Sequence, residues 1–236
     1  MSAVAGVDGC KAGWIVIVRD IINTNWQFFL CDCFHDVLNI QPRLNIVAVD
    51  MPIGLLDVPV AGGRACDQSA RNLLGWPRRN SVFSPPSRPT LQGNSFAMAQ
   101  RLNQPAGLTQ QAFSLFPKLR QVEEIMTPNH QKRFFEVHPE VSFCVANNGV
   151  TMQNKKKSKS GQQERINVLR YHYGSQWNAW WPTVCTAYLR RLVALDDILD
   201  ACIAAWTAER IYRDTARRIP NNPPTDSKGL RMEIWY

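Results

Sequence analysis

The sequence predicts an α/β domain built on a mixed five-stranded sheet, and two observations lead to this prediction. Three short runs rich in β-branched, aromatic and other apolar residues follow one another at the start of the chain, separated by turns. A short helix and an apolar strand come next, an order typical of a crossover into a parallel strand pair. We therefore expect three antiparallel strands, then parallel strands, with helices on both faces of the sheet.

The first fifty residues contain four of the five predicted strands. Residues 3–8, 14–18 and 26–31 form the antiparallel strands, residues 35–40 the short helix, and residues 45–50 the fourth strand. The fourth strand is apolar almost throughout, as expected for a strand covered on both faces. The fifth strand is predicted at residues 133–137 and a further C-terminal strand at 229–236.

The rest of the chain is predicted to be mainly helical, within a single domain spanning residues 1–236. An insertion of helices and loops is expected at about residues 61–131, where proline-rich residues 78–89 read as a long loop. A bend is expected at the tryptophan-rich residues 177–182, and a helical break near residue 194. The predicted helices cover residues 64–74, 95–102, 109–126, 162–171 and about 183–216.

Composition indicates a folded protein and sets limits on its class. Of 236 residues, 45% are hydrophobic and 19% charged, and the formal net charge is +8, which favours nucleic acid as a partner. No run approaches the length of a membrane helix, so no membrane partner is expected, and protein partners are not indicated. The N-terminal residues do not resemble a signal peptide, so the cytoplasm is the expected compartment. Seven scattered cysteines and four histidines argue against a zinc site.

Acidic residues lie where the predicted strands end. Asp8 and Asp50 each follow an apolar run, and Glu136 lies in the fifth strand beside aromatic residues. A carboxylate that continues a buried strand needs compensation by a cation, by hydrogen-bond donors or by water. An aspartate at a strand end can also be a turn residue, and the strands alone leave both interpretations open.

A late helix carries further acidic residues on a face of small side chains. At 100° per residue, one narrow stripe contains Asp197, Asp200, Ala201, Ala204 and Ala208. The alanines predict close packing against a neighbouring element. The helix dipole accounts for an aspartate in the first turn, but less well for Asp200, which lies one turn further along.

Converging carboxylates of this kind are suited to hard divalent cations. Mg²⁺ and Mn²⁺ prefer oxygen ligands, usually a few carboxylates with water and substrate phosphate. Two such ions about 4 Å apart can activate a water and stabilise the leaving oxygen in phosphodiester hydrolysis. We therefore expect Mg²⁺ or Mn²⁺, as two ions, if the strand ends and the helix meet.

Six ordered segments of the chain form a recognisable pattern: residues 6–14, 48–55, 64–71, 81–85, 135–140 and 196–201. Together they resemble the family described as predicted RNase H-like nucleases (domain of unknown function 429). More broadly, the pattern resembles RNase H and the Holliday-junction resolvases. The resemblance implies an RNase H-like fold in which Asp8, Asp50 and Asp200 are the core metal ligands and Asp197 is a fourth. Glu136 either joins these catalytic residues or orients His138 or an arginine.

Four basic residues are candidates for substrate binding, each with a structural alternative. Lys11 follows the first strand and could approach a phosphate or remain solvated. Arg64 and Arg71 share a helix face with Asp67, so an ion pair competes with substrate contact. His138 could be a general base or proton shuttle, or a structural hydrogen-bonding residue.

Two further segments could contact nucleic acid. Residues 153–161 are predicted to be a basic, flexible loop. Lys155 to Lys159 and Arg165 could hold a nucleic-acid backbone or be solvated. Trp177, Trp180 and Trp181 could stack on bases or form a packing cluster.

The function expected from these features is metal-dependent hydrolysis of DNA or RNA phosphodiesters. A nucleic-acid or nucleotide-binding protein without catalysis is one alternative. A phosphotransferase of the actin-like fold is another, because the turn after Asp8 is similar to the phosphate-binding turns of the sugar kinases. Those kinases need a duplicated second half, which argues against them for a chain of this size.

Overall fold

A mixed five-stranded sheet forms the centre of the fold in the computed structural model, which describes residues 2–236. The order across the sheet is β3-β2-β1-β4-β5. β1 pairs antiparallel with β2 and β2 with β3, whereas β1–β4 and β4–β5 are parallel pairs. This is the topology of the RNase H-like fold, so the predicted fold class is confirmed. The strands are β1 Ala3–Cys10, β2 Gly13–Asp20, β3 Trp26–Cys31, β4 Ile46–Val49 and β5 Phe134–Glu136.

Eight α-helices lie within residues 2–236, together with three short 3₁₀ segments and a small two-stranded sheet. The 3₁₀ segments are Arg78–Ser81, Arg88–Gln92 and His130–Lys132, and the small sheet pairs β6 Arg218–Ile219 with β7 Ile234–Trp235. The helices are α1 Phe34–Leu38, α2 Ala65–Leu74, α3 Phe96–Leu102, α4 Gln110–Ser114, α5 Phe116–Ile125, α6 Pro139–Ala146, α7 Lys159–Ala187 and α8 Leu195–Tyr212.

The chain divides into two compact units. The first comprises the chain up to Asp50, Arg133–Arg217 and Trp235–Tyr236, and it contains the five-stranded sheet with α1, α6, α7 and α8. The second comprises Met51–Lys132 and Arg218–Ile234, and it contains α2 to α5. The second unit includes the insertion expected at about residues 61–131. The expectation of a single domain stays a prediction.

Helices cover both faces of the large sheet, and β2 contacts both layers because its neighbouring residues point in opposite directions. Ile15 and Ile17 are buried in the same apolar cluster as residues of α7 and α8. Trp14 faces the other side, where its ring centroid lies 5.0 Å from that of Phe34 in α1. The sheet of the first unit is therefore the middle layer between α1 and the later helices.

Gly6 in β1 permits the close approach of α8 to the sheet. A Cβ atom on Gly6 would lie 2.0 Å from the carbonyl oxygen of Ala201 and 2.1 Å from the backbone nitrogen of Ala205. Ala204 and Ala208 are completely buried in a cluster with residues of β1 and β4. The close packing expected of the alanine stripe is confirmed, and Gly6 is the complementary position on the strand.

The tryptophan-rich residues belong to a helix, so the predicted bend at residues 177–182 was wrong. α7 runs through them, and its interruption lies earlier, at Gly174, where φ is 58° and ψ is −136°. Trp177 is fully buried, and its ring centroid lies 4.6 Å from that of Trp181. The proline at position 182 is accommodated inside the helix. Apolar packing of the tryptophan rings outweighs the local preference for a turn.

Several other predicted boundaries differ from the structure. The helix expected at residues 109–126 is two helices, α4 and α5, that meet at Leu115. The predicted loop at residues 78–89 includes a 3₁₀ segment and the start of another, and the C-terminal strand shortens to β7. No helix in residues 2–236 combines the length and the apolar character needed to cross a membrane.

Candidate metal centre

Three aspartates from distant parts of the sequence come together in the first unit. Asp8 lies near the end of β1, Asp50 directly follows β4, and Asp200 lies in α8. One carboxylate oxygen from each lies within 4.8 Å of the others. These three residues, the acidic trio, could therefore hold a metal ion.

The parallel pairing of β1 and β4 explains why Asp8 and Asp50 meet. Gly6 pairs with Ala48 in the register of the two strands. Two residues further along each strand are Asp8 and Asp50, and residues two apart point to the same face. That face is the one on which Gly6 contacts α8. The strand ends therefore direct both carboxylates towards the helix that carries Asp200.

Burial makes the trio electrostatically unfavourable without a cation. Asp8 is 7% exposed and Asp200 is 1% exposed. Burial, followed by repulsion from Asp200, raises the pKa of Asp50 to about 8. Burial and the charge of Asp50 also raise the pKa of Asp8 well above its usual value. A bound cation would remove this penalty.

The ligand atoms fit a hard divalent cation. All three groups are carboxylates, which are the ligands that Mg²⁺ and Mn²⁺ prefer. Within residues 2–236, Oδ1 of Asp200 is buried and receives no hydrogen bond. A buried carboxylate oxygen without a donor is uncommon, and a cation would satisfy it.

Asp197 lies near the trio and also caps the N-terminus of α8. Its Oδ2 accepts a hydrogen bond from the backbone nitrogen of Ala194 at 2.9 Å, which caps the start of α8. Burial raises the pKa of Asp197 to about 6, and its charge in turn raises the pKa of Asp8. Asp197 as a fourth metal ligand stays a prediction.

Glu136 lies on the opposite face of the sheet from the strand-end aspartates. Glu136 pairs with Val49 in the register of β4 and β5. Neighbouring residues of a strand point to opposite faces, so Val49 and Glu136 point away from the face of Asp50. Glu136 is 5% exposed, and its charge contributes to the raised pKa of Asp50. Its influence on the trio is therefore electrostatic, and a direct part in catalysis stays a prediction.

The structure adds Lys156, which was not singled out from the sequence. Its Nζ lies 2.7 Å from Oδ2 of Asp200 and 3.9 Å from Oδ2 of Asp196. The attraction of Asp200, partly offset by burial, raises the pKa of Lys156 further above its usual value. The run of lysines in residues 153–161 indicated a basic segment, but nothing in it identified the lysine that reaches the acids.

A buried ion pair between Arg165 and Glu140 lies in the same unit, so the prediction that Arg165 contacts nucleic acid or is solvated was wrong. Nη2 of Arg165 donates to Oε1 of Glu140, and Nη1 donates to the carbonyl oxygen of Gly161 at 3.0 Å. The Arg165 side chain is fully buried. The charge of Glu140 raises the pKa of Asp200, and the charge of Arg165 lowers it.

Two of the predicted substrate-binding residues lie in the first unit. Lys11 is exposed in the turn between β1 and β2, where a phosphate could reach it. His138 is half-buried and precedes the first turn of α6. Their contact with substrate stays a prediction.

The other two predicted substrate-binding residues, Arg64 and Arg71, make contacts within the second unit. Arg64 is 2% exposed, its Nη2 lies 2.7 Å from Asp67 Oδ1, and Nη1 donates to the carbonyl of Gly54. Arg71 donates to the carbonyl oxygen of Val82 and to Ser84. The ion-pair alternative therefore holds for Arg64, and the structure gives both arginines structural contacts.

Comparison with known proteins identifies the family. Residues 6–225 match the family described as "Protein of unknown function (DUF429)", the same domain of unknown function that the sequence segments resemble. No curated protein and no solved structure gave a significant match. Because the match covers most of the 236 residues, the chain belongs to the DUF429 family.

Proposed function

We propose that the protein is a divalent-metal-dependent nuclease that hydrolyses phosphodiester bonds of DNA or RNA. The observation that carries this proposal is the acidic trio, whose carboxylate oxygens lie within 4.8 Å of one another at two strand ends and a helix. The RNase H-like topology supports it by analogy of fold, which is a weaker argument than the site itself.

Mg²⁺ or Mn²⁺ is the proposed cation, with Asp8, Asp50 and Asp200 as its ligands. When bound, such a cation supplies Lewis acidity and a water of lowered pKa, and the two-ion arrangement expected from the sequence would stabilise both the attacking and the leaving oxygen. The chain itself holds the carboxylates in place through β1, β4 and the tightly packed α8. This rigid placement favours catalysis because little reorganisation is needed.

The charge of the chain supports nucleic acid as the substrate. The formal net charge is +8, and Lys155, Lys157 and Lys159 are exposed beside Lys156. Exposed lysines attract a phosphate backbone without reading its sequence. The proposal therefore covers DNA and RNA alike.

Cleavage of labelled nucleic acids tests the proposed function. A panel of duplex DNA, single-stranded DNA, four-way junction, RNA–DNA hybrid and structured RNA is incubated with Mn²⁺ or with EDTA. We expect Mn²⁺-dependent cleavage that falls by about 100-fold or more in Asp8→Asn and Asp200→Asn. Asp32→Asn is the matched control, because Asp32 also follows a strand but is exposed. Equal activity in all four proteins would contradict the proposal.

A nucleic-acid-binding protein without catalysis is the second candidate. The observation that favours it is the 2.7 Å contact between Lys156 and Asp200, because an ammonium group can stabilise buried acids without any metal. In the same assay, this candidate predicts binding of the panel with no cleavage in Mn²⁺. The structure disfavours an actin-like phosphotransferase, because residues 51–132 and 218–234 form a unit with four short α-helices and not a second five-stranded sheet.

A further inference from the structure

The ammonium group of Lys156 lies among the carboxylates of the candidate metal centre. Its Nζ is 2.7 Å from Asp200 Oδ2, and the whole side chain is 42% exposed whereas that of Asp200 is 2% exposed. The charged end of a partly exposed side chain therefore contacts a buried carboxylate. Nζ of Lys156 also lies 3.9 Å from Oδ2 of Asp196.

Glu164 fixes the backbone on the N-terminal side of Lys156. Its two carboxylate oxygens accept hydrogen bonds from the backbone nitrogens of Gln153 and Asn154, at 2.7 and 2.9 Å. Glu164 belongs to α7, so the helix holds the segment that leads to Lys156. The predicted flexible loop is thus anchored here by hydrogen bonds that involve no member of the acidic trio.

Gly161 and Ser158 fix the backbone on the other side. Ser158 caps α7 by accepting a hydrogen bond from the backbone nitrogen of Gly161 at 3.0 Å. A Cβ atom on Gly161 would lie 2.0 Å from the carbonyl oxygen of Lys155, so only glycine permits this close contact. The backbone of Lys156 is therefore held in place on both sides, and from this position its side chain contacts Asp200.

The two carboxylate oxygens of Asp200 have different partners. Oδ2 receives the ammonium group of Lys156. Oδ1 is buried and receives no hydrogen bond from any residue that the structure describes. Asp200 can therefore keep its contact with Lys156 while Oδ1 joins Asp8 and Asp50 around a cation.

We propose that the centre binds one divalent cation, between Asp8, Asp50 and Oδ1 of Asp200, and that the Lys156 ammonium takes the place of a second ion. This inference rests on the proposed metal-dependent function and changes the two-ion expectation drawn from the sequence. The Lys156 ammonium already contacts Oδ2 of Asp200 at 2.7 Å, which leaves the other oxygen of that carboxylate for a metal ion. A lysine ammonium is also a good ligand for phosphate oxygens, so Lys156 would stabilise charge on the phosphodiester.

Mn²⁺ titration of the full-length protein tests this inference. Free Mn²⁺ is measured by electron paramagnetic resonance, and calorimetry gives the number of ions bound per chain. We expect one ion for the wild type, one for Lys156→Arg, and two for Lys156→Met. Lys157→Met is the matched control, because Lys157 is an exposed neighbour, and it should bind one ion.

A thermal unfolding measurement in EDTA accompanies the titration. Lys156→Met should melt at a lower temperature than the wild type in EDTA, because the trio loses its counter-charge. Mn²⁺ should abolish this difference in melting temperature. Lys156→Gln provides a second uncharged variant should the methionine variant be poorly folded. The stoichiometry of the wild type tests the one-ion centre independently of any variant.

The outcomes separate this inference from the proposed function. Two ions in the wild type would overturn the inference and leave the metal-dependent function in place. One ion in both the wild type and Lys156→Met would overturn the assignment of Lys156 to the second position. No Mn²⁺ binding by the wild type would overturn both the inference and the proposed function.

Discussion

Nζ of Lys156 lies 2.7 Å from Oδ2 of Asp200, although 44 residues separate them in the sequence. Asp200 is 1% exposed, so water cannot compensate its charge and the ammonium group does so. The other oxygen of Asp200 is left without a hydrogen bond from residues 2–236. One oxygen of Asp200 therefore contacts the ammonium group of Lys156, and the other is suited to a cation from solution.

Replacing Asp50 with asparagine should stabilise the metal-free protein at alkaline pH. The pKa of Asp50 is raised to about 8 by burial and by Asp200, so the folded protein holds this proton more tightly than the unfolded chain. Stability contributed by the protonated group is then lost as pH rises from about 4 through about 8. In EDTA at pH 9, we expect Asp50→Asn to exceed the wild type by about 1 to 2 kcal/mol, with little difference at pH 4.

Thermal unfolding in EDTA at the two pH values measures this difference. For a chain of this length, about 1 kcal/mol corresponds to about 2–4 °C in melting temperature. Asp32→Asn, at an exposed strand end, should show no such pH-dependent gain. A lower melting temperature for Asp50→Asn at pH 9 would show that ionised Asp50 is not a source of instability.

Metal affinity should increase with pH. Protonated Asp50 cannot serve as a ligand with both oxygens, so a cation has to displace its proton below about pH 8. We expect the Mn²⁺ dissociation constant to fall by about tenfold or more per pH unit between pH 6 and 8, because the pKa of Asp8 is raised as well as that of Asp50. Calorimetry in buffers of different ionisation enthalpy would detect the released proton. A dissociation constant that does not change over this range would contradict the prediction.

Gly6→Ala should damage both the fold and the centre. The new Cβ would meet the backbone of Ala201 and Ala205, at 2.0 and 2.1 Å, and backbone atoms in a helix cannot move aside individually. We expect a loss of about 3 kcal/mol or more and weaker Mn²⁺ binding, because α8 carries Asp200.

Gly149→Ala is the control for Gly6→Ala. A Cβ on Gly149 would meet nothing within 4 Å, but its φ of 83° is unfavourable for alanine. We expect a cost of about 1 kcal/mol and unchanged Mn²⁺ binding. Urea unfolding and Mn²⁺ titration measure the two effects, and equal losses in both variants would mean that the contact between β1 and α8 is not critical.

Arg165→Met should be strongly destabilising. It leaves the carboxylate of Glu140 buried without its guanidinium partner, which typically costs about 3 to 5 kcal/mol. The double variant Arg165→Met, Glu140→Leu removes both charges, and we expect most of the loss to be recovered. A double-mutant cycle from urea unfolding measures the coupling. Additive effects of the two single changes would show that the pair contributes no specific interaction.

The strands and the acidic residues at their ends could be predicted because their signals are local, whereas the choice of Asp8, Asp50 and Asp200 as core ligands came from the family resemblance. β3 was predicted at its observed bounds, and the apolar strands before Asp8 and Asp50 were recognised from composition alone. The alanine stripe of α8 indicated the face on which Asp200 lies. Strand alternation and helical periodicity depend on neighbouring residues, and a single sequence reports them directly.

The contacts of Lys156 and the course of α7 could not be predicted because they depend on distant residues. Lys156 is one of several adjacent lysines, and only the turn anchored by Gly161 and Glu164 selects it for Asp200. α7 continues through its tryptophans because Trp177 is buried against other aromatic rings. Register across β4 and β5, which turns Glu136 to the other face, is likewise a property of strand pairing.

Anomalous diffraction from a crystal of the wild-type protein soaked in Mn²⁺ tests the metal centre most directly. We predict a manganese peak bonded to carboxylate oxygens of Asp8, Asp50 and Asp200, with Lys156 still in contact with Asp200. Asp200→Asn crystals soaked in the same way should lack the peak. A manganese peak elsewhere, or an empty acidic trio at saturating Mn²⁺, would contradict the proposal that these three aspartates form a metal-dependent active site.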